Sequence, residues 1–261
     1  MIRIISILFS VSGFFICPNL FASNPLLMPQ SVIGANDLEA IDLVLGTDYY
    51  EPSRAVARME AGGGGYCTGF RVAPDLFMTN QHCSTFKTCD AVRFHLGFET
   101  ALPAEKQIYF RCVAVETVFL GLDFALYRVE RIASDVPDDF PILTLARYIP
   151  KNFTPLFFPA HPATGPKKID RSAACQIMEA VPFPFYERTN IAHSCDSMSG
   201  SSGGPLISSE TKSVVALHWG GVSTDSPKPY NHGIPMKAVL DYIEIHAPAA
   251  FSKLTIENEA P

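Results

Sequence analysis

Short runs of β-branched and aromatic residues follow one another along most of the chain, and Gly, Pro, Asn and Asp separate them. This spacing predicts the strands of barrels or sandwiches rather than long helices. A stretch with several prolines, 131–150, predicts a connection between two halves. The predicted strands are 55–59, 66–72, 76–80, 91–96, 108–119 and 123–129 before it, and 155–160, 174–178, 189–194, 205–208 and 213–219 after it.

Two segments have helical rather than strand periodicity. Segment 235–246 places apolar side chains three and four residues apart, which predicts a C-terminal helix that packs on the body of the protein. Near the other end, Asn36 followed by Glu39 resembles a capping arrangement and predicts a short helix over 37–45.

The first residues have the pattern of a secretory signal. A positive start at Arg3 is followed by an uncharged apolar run over 4–16, and the small residue Ala22 offers a cleavage site. A membrane anchor is the alternative, but the run is too short to span a bilayer. The sequence therefore predicts a signal peptide over 1–22, a secreted or periplasmic protein, and no stable membrane association.

Removal of that peptide takes Cys17 with it and leaves an even number of cysteines, which in an exported chain favours disulfides. Counting alone leaves their pairing open. A zinc site is the alternative interpretation, but no C-x-x-C pair occurs and the cysteines lie far apart, so we expect no metal. The remaining cysteines are Cys67, Cys83, Cys89, Cys112, Cys175 and Cys195.

Composition limits the class of partner. The chain of 261 residues is 48% hydrophobic and 18% charged, which is typical of a folded globular protein. Its formal net charge of −6 argues against a nucleic-acid partner, because phosphate binding requires a basic face. We expect a monomer.

Three motifs carry the groups that acyl transfer by a serine requires, namely a hydroxyl, a base and a group that orients the base. His82 lies in TNQHC after a predicted strand, Asp123 lies in the apolar context GLDFAL, and Ser202 lies in GSSGGP. The glycines beside Ser202 permit a tight backbone. That backbone can direct the N–H groups of Gly200 and Ser202 at one point, as an oxyanion hole requires.

In this order and context the motifs resemble those of the trypsin/chymotrypsin family of serine peptidases, in which a cysteine follows the base and Gly-Gly-Pro follows the nucleophile. The resemblance implies an all-β fold of two six-stranded antiparallel barrels with a C-terminal helix. It also implies the triad His82, Asp123 and Ser202 in the cleft, no cofactor, and a protein or peptide substrate. The predicted divisions are a signal peptide (1–22), an N-terminal extension or propeptide (23–47), an N-terminal β-barrel (48–135), and a C-terminal β-barrel with the terminal helix (136–261).

The resemblance implies one disulfide directly, because the family bridges its histidine-adjacent cysteine to the preceding strand at the separation found here. A second bridge is predicted across a loop, and the last two cysteines then pair with each other. The predicted bridges are Cys67–Cys83, Cys175–Cys195 and Cys89–Cys112.

Activation by the trypsin ion pair is not expected. Animal trypsins carry an Asp immediately before the nucleophile, which pairs with a newly cut N-terminus, and Ser201 occupies that position here. The segment 32–34, Val-Ile-Gly, resembles such an N-terminus without its usual acidic partner.

The specificity pocket has two interpretations. Asp196 lies six positions before Ser202, where trypsins place the carboxylate that receives Lys or Arg, and glycines would leave room for a long side chain. The segment LHWGG instead resembles bacterial glutamyl endopeptidases, in which the histidine, here His218, binds an acidic side chain. The sequence favours a basic P1 residue and leaves the acidic one open. The candidate substrate-binding residues are Asp196, His218, Trp219, Gly220 and Gly233.

Two other functions remain open at this point. One is a catalytically silent binding protein on the same fold, and the other is an esterase that uses the same triad.

Overall fold

The computed structural model describes residues 30–260 except 63, 85–87, 186–187 and 222–229, so the predicted signal peptide lies outside the described residues. The α-helices of the described residues are α1 (Tyr50–Arg54), α2 (Met236–His246) and α3 (Pro248–Phe251). The strands are, in chain order, β1 (Gln30–Ser31), β2 (Glu39–Ala40), β3 (Val56–Ala61), β4 (Gly65–Ala73), β5 (Leu76–Thr79), β6 (Val92–Leu96), β7 (Ile108–Phe119), β8 (Phe124–Arg131), β9 (Leu145–Ala146), β10 (Leu156–Ala160), β11 (Lys168–Asp170), β12 (Ile177–Phe185), β13 (Arg188–His193), β14 (Ser197–Met198), β15 (Pro205–Ser208), β16 (Val214–Gly221), β17 (Asn231–Pro235) and β18 (Ile256–Glu257).

Strands β3 to β8 close into an antiparallel barrel in the order β3-β4-β5-β8-β7-β6. Side chains alternate along β7, where Ile108, Phe110 and Cys112 are buried and the residues between them face outward. Phe77 fills the barrel interior, because its ring stacks on Phe94 at 4.7 Å and lies 5.1 Å from Phe110. The predicted N-terminal barrel is confirmed.

The second half forms a sheet that contains the order β12-β13-β17-β16-β15-β10. A backbone bridge between Pro155 and Gln176 joins the two outer strands of this order, and Leu156 N–H donates to Cys175 O at 2.9 Å beside it. These contacts close a second barrel, whose buried side chains include Phe158. The predicted fold of two barrels is therefore confirmed.

Helix α2 follows β17 directly and packs on both barrels, as the periodicity predicted. No helix among the described residues combines the length and the apolarity needed to cross a membrane. The buried residues of α2, which share one hydrophobic cluster with Phe70 of the first barrel and Leu217 of the second, are Met236, Val239, Leu240 and Ile243.

The segment before the first barrel packs on the second barrel. Strand β1 pairs with β14, and β2 pairs with β11. The predicted helix over 37–45 is wrong, because this pairing extends residues 39–40 and leaves a 3-10 turn over Ile41–Val44. The Asn36 side chain accepts a hydrogen bond from Leu38 N–H at 3.1 Å, which makes a local turn rather than a helix cap.

Disulfides connect three pairs of segments that are separated in the chain. The first joins β4 to the turn after β5, the second joins the turn before β6 to β7, and the third joins the residues that flank β12 and β13. All three predicted pairings are confirmed. They are Cys67–Cys83, Cys89–Cys112 and Cys175–Cys195.

Candidate active site

His82 and Asp123 meet at one end of the first barrel. His82 opens a 3-10 turn after β5, and Asp123 precedes β8 with a left-handed φ of 45°, which non-glycine residues adopt uncommonly. The His82 Nδ1 atom lies 2.7 Å from Asp123 Oδ2, and His82 N–H donates to Asp123 Oδ1 at 3.0 Å. This carboxylate favours a proton on Nδ1, which leaves Nε2 of His82 as the acceptor.

The pair is fixed in position on both sides. The Asp123 side chain is fully buried, while the His82 side chain is 38% exposed and reaches the cleft. The Asp123 carbonyl accepts hydrogen bonds from Asn80 Nδ2 at 2.9 Å and from Gln81 N–H at 3.1 Å. A buried carboxylate next to an accessible imidazole is the arrangement in which a histidine acts as a general base.

Ser202 lies on the loop between β14 and β15, next to two glycines that no other residue could replace without displacement of their neighbours. A Cβ on Gly203, where φ is 83°, would lie 2.2 Å from Thr68 O. A Cβ on Gly200, where φ is 93°, would lie 2.7 Å from His161 O. The chain therefore packs its backbone directly against the loop that carries Ser202, at both of these glycines.

The two neighbouring serines face in different directions. The Ser201 side chain is fully buried, and its Oγ accepts a hydrogen bond from Met198 N–H at 3.2 Å. The Ser202 Oγ is half-buried and donates to Trp219 O at 3.2 Å. Only the second hydroxyl is accessible from the cleft.

Two carbonyls of the loop around Ser202 are held by backbone hydrogen bonds. The Ser199 carbonyl accepts from Ala163 N–H at 2.6 Å, and the Ser201 carbonyl accepts from Gly204 N–H at 3.0 Å. A trans peptide directs its N–H away from its carbonyl. Within the described part of the chain, the N–H groups of Gly200 and Ser202 donate to no other backbone carbonyl.

A cavity of about 180 Å³ opens beside Ser202. Of the candidate substrate-binding residues, the structure brings His218 and Gly220 to this cavity. The residues that line it are Ser31, Ser197, Met198, Ser199, Ser202, His218, Gly220 and Gly221.

The structure does not bring Asp196 to the cavity, which corrects the expectation of a carboxylate at the pocket floor. Its Oδ1 accepts from Ile33 N–H and its Oδ2 accepts from Asp37 N–H, both at 2.7 Å. The residue is 1% exposed, and burial raises the pKa of its carboxyl. The physical reason is that both carboxylate oxygens accept hydrogen bonds from backbone amides of the N-terminal segment.

Trp219 and Gly233 also lie apart from the cavity lining. Trp219 Nε1 donates to Asn190 Oδ1 at 2.6 Å, although its carbonyl faces Ser202. A Cβ on Gly233 would meet the Leu206 side chain at 2.9 Å, so this glycine faces the barrel interior rather than a substrate.

A group of buried histidines backs the cavity. His218 Nδ1 lies 3.0 Å from His193 Nε2. Burial lowers the pKa of His218 to about 3 and that of His232 to about 4, and it also lowers the pKa of His193. All three imidazoles are therefore neutral near pH 7.

Sequence reasoning missed several contributors to the cavity, among them Ser31 and the residue that holds it, Asn231. Ser31 lines it because β1 lies against β14, and Asn231 Nδ2 holds Ser31 O at 2.8 Å and Cys195 O at 2.7 Å. Neither residue belongs to a short motif. Their partners lie far away in the chain, so no local pattern could have indicated them.

A metal centre has no support among the described residues. The one group of potential ligands that lie close together is Cys67, His82 and Cys83. Both cysteines belong to a disulfide, so neither offers a thiolate.

Comparison with known proteins gives a consistent result. The family model for the trypsin-like peptidase domain matches residues 67–217, more than half of the chain. No curated protein sequence matches at a significant level.

Several solved structures are similar. The active form of the Rv3671c protease from M. tuberculosis is 18% identical with a TM-score of 0.59, and the match covers 99% of this chain and 97% of that one. The inactive form is also 18% identical with a TM-score of 0.58, over 82% of this chain and 98% of that one. A Glu endopeptidase in complex with MPD is 17% identical with a TM-score of 0.60, over 84% of this chain and 99% of that one. At these identities the likeness concerns the fold alone.

Proposed function

This chain belongs to the family of trypsin-like peptidases, and from that membership we propose that it is a serine endopeptidase with Ser202 as nucleophile, His82 as general base and Asp123 as the group that orients the base. The observation that carries the proposal is the 2.7 Å contact between His82 Nδ1 and the fully buried Asp123 carboxylate. A binding module has no use for a desolvated carboxylate held against an accessible imidazole. As a peptidase, the protein acts on proteins or peptides.

The geometry supports the following sequence of steps. The Ser202 hydroxyl rotates from Trp219 O towards His82 and attacks the scissile carbonyl carbon, while His82 Nε2 takes its proton. The N–H groups of Gly200 and Ser202 bind the oxyanion that forms. His82 then gives the proton to the leaving amine, which leaves an acyl group on Ser202. A water molecule activated by His82 hydrolyses this ester and regenerates the free serine.

Export is part of the proposal. Three disulfides connect the described residues, and disulfides persist in oxidising compartments. The predicted signal peptide 1–22 would bring the chain there. N-terminal sequencing of the mature protein tests this directly, and a start after Ala22 or Ser23 is expected.

For the P1 residue we propose an acidic side chain, and this replaces the basic one that the sequence favoured. The cavity beside Ser202 contains no carboxylate among the described residues that line it. When His193 Nε2–H donates to His218 Nδ1, the proton of His218 is on Nε2, from which it can donate to a ligand. The hydroxyls of Ser197 and Ser199 offer further donors to a bound carboxylate.

The nucleophile is tested with a fluorophosphonate probe and a peptide library. Labelling at Ser202 with peptide hydrolysis is expected for the wild type, and Ser202→Ala should lose both, with a rate loss of about 10⁶-fold. Ser201→Ala is the matched control and should keep substantial activity. Labelling without peptide hydrolysis would indicate an esterase, and no labelling at all would indicate a silent binding protein.

The P1 proposal is tested with matched peptides that carry Glu, Arg or Leu at P1. We expect Glu to have the highest kcat/KM, and His218→Gln to reduce that value by about 10- to 100-fold, because a hydrogen bond to a charged group contributes about 1.5–3 kcal/mol. A preference for Arg would contradict the proposal and return Asp196 to the pocket.

A further inference from the structure

We propose that Thr68 is a positioning residue for the oxyanion hole, through which the first barrel sets the backbone geometry of the nucleophile loop in the second. The inference rests on the proposed function, because it assigns a role in the reaction at Ser202. Thr68 lies on β4, next to Cys67, and its side chain is fully buried.

The Thr68 hydroxyl uses its hydrogen-bonding capacity on two segments of the second barrel. Its Oγ1 donates to Gly200 O at 2.8 Å and accepts from His161 N–H at 3.0 Å. Both bonds are buried. A hydroxyl has one proton to donate, so this geometry commits that proton to Gly200.

The backbone of Thr68 adds two contacts that restrain its position. Its N–H donates to Ser202 O at 2.8 Å, and its carbonyl accepts from Thr79 Oγ1 at 2.7 Å. The adjacent residue Cys67 forms the disulfide with Cys83, which follows His82 in the chain. Thr68 therefore bonds directly to the proposed nucleophile and is linked to the proposed base through the disulfide of its neighbour.

The contact with Gly200 completes a row of three restrained carbonyls. Ser199 O is held by Ala163 N–H at 2.6 Å, Gly200 O by the Thr68 hydroxyl, and Ser201 O by Gly204 N–H at 3.0 Å. Each trans peptide directs its N–H opposite to its carbonyl. The first and third carbonyls belong to the peptides whose N–H groups face the oxyanion, and Thr68 restrains the peptide between them.

The contact with His161 restrains the oxyanion hole indirectly, through a neighbouring loop. Residues 161–165 form the loop that supplies Ala163 N–H, and two of its residues, Ala163 and Thr164, have left-handed φ values of 52° and 63°. Such a backbone is costly for non-glycine residues and persists only where neighbours hold it. Thr68 holds the first residue of this loop.

A side chain without the hydroxyl would leave Gly200 O and His161 N–H buried without a partner, which is costly. The loop would relax to satisfy them, and the N–H groups would move from the point where the oxyanion forms. Because those donors act on the transition state, the loss should fall on kcat rather than on KM.

The experiment compares Thr68→Val, which keeps the side-chain shape, with Thr68→Ser, which keeps the hydroxyl. The control is Ser53→Ala, which removes another fully buried hydroxyl, one that donates to Tyr49 O at 2.7 Å away from the cleft. For each variant we would measure kcat and KM with the preferred substrate, and the affinity for a peptide aldehyde, whose adduct with Ser202 carries an oxyanion.

Thr68→Val should lower kcat by about 10²-fold, as misplacement of oxyanion donors does, with KM nearly unchanged. Aldehyde affinity should fall by a similar factor. Thr68→Ser and Ser53→Ala should stay close to the wild type. Should the valine variant not fold, Thr68→Ala removes the same hydroxyl without the added methyl groups and is judged by the same measurements.

Three results would overturn the inference. They are a valine variant with wild-type kcat, an equal loss in the serine variant, and a loss confined to KM. Each requires an active wild type, so each leaves the proposed function intact. An inactive wild type that Ser202→Ala does not alter further would overturn the proposed function and, with it, the role of Thr68.

Discussion

The proposed base and the proposed nucleophile of this site are held in different ways. His82 and Asp123 meet at one end of the first barrel through direct contacts of 2.7 and 3.0 Å. The loop around Ser202 is held largely by segments that are distant in the chain. Thr68 of the first barrel bonds to this loop directly. Residues 30–37, which precede both barrels in the chain, contact the segment that leads into the loop.

Because of this difference, we expect variants of the two regions to affect different properties of the protein. The first barrel holds the proposed base in direct contact with its carboxylate, so a change there should alter the proton transfer and leave the fold unchanged. The second barrel presents a loop whose geometry depends on remote contacts, so a change in those contacts should alter stability and positioning together. The following variants test that separation.

The largest effect is expected from Asp123→Asn. The Asn amide would donate to His82 Nδ1 and so favour the proton on Nε2, where the ring cannot accept from Ser202. We expect kcat to fall by about 10⁴-fold at neutral pH. Folding should be retained, because Asn80 and Gln81 bond to the backbone carbonyl of residue 123 rather than to its side chain.

The measurement is kcat and KM together with the unfolding transition. Asp75→Asn in the same barrel is the control, because Asp75 pairs with Lys253 at 2.5 Å on the surface. A loss in KM alone, or a loss below about tenfold, would contradict an orienting role for Asp123.

The next largest effect concerns the contact between the barrels. Lys167 Nζ lies 2.7 Å from Glu99 Oε1, with both side chains almost fully buried, and Tyr50 OH donates to the other carboxylate oxygen at 3.0 Å. Lys167→Met leaves Glu99 as an uncompensated buried charge, so unfolding free energy should fall by about 3–5 kcal/mol. Chemical denaturation measures the change.

The double variant Glu99→Gln with Lys167→Met is the matched control, because it removes both charges. It should recover most of the lost stability, since neutral replacement of a buried pair is often tolerated. Equal instability of the single and double variants would show that packing, rather than charge, joins the barrels here.

A smaller effect is expected from Asp196→Asn. The variant keeps one acceptor oxygen but loses the one that faces Ile33 or Asp37, and a hydrogen bond to a charged group contributes about 1.5–3 kcal/mol. Looser docking of the segment that carries Ser31 should also raise KM, because Ser31 lines the cavity.

Denaturation and KM measure these two effects. Asp37→Ala is the control, because the amide of residue 37 still donates to Asp196 after the change. If Asp196→Asn instead abolished cleavage after Arg selectively, the carboxylate would be acting on substrate rather than on the N-terminal segment.

The sequence predicted features that depend on local spacing better than features that depend on contacts distant in the chain. The disulfide from Cys67 to Cys83 and the helix α2 were predicted, because each depends on short spacing. Strand β17 was not predicted, because Gly233 and Pro235 interrupt its pattern, and β-pairing on both sides compensates for them. The direction of Asp196 was not predicted either, since its partner Ile33 lies 163 residues away.

The smallest expected effect is on the pH dependence of stability, and it distinguishes the buried His218 from the exposed His246. Burial lowers the pKa of His218 to about 3, so the unfolded chain binds a proton that the folded chain does not, and stability falls as pH drops below about 6.5. A pH of 5.5 is about one unit below the pKa of this histidine in the unfolded chain. At that pH, His218 should reduce the unfolding free energy by about 1.4 kcal/mol relative to neutral pH. His218→Gln should remove that part of the pH dependence, whereas His246→Gln, on the exposed end of α2, should retain it. Denaturation at pH 7.5 and 5.5 measures the difference. If the pH dependence of stability were unchanged in His218→Gln, His218 would be able to take up a proton in the folded protein. That result would contradict its assignment as a neutral donor to the substrate.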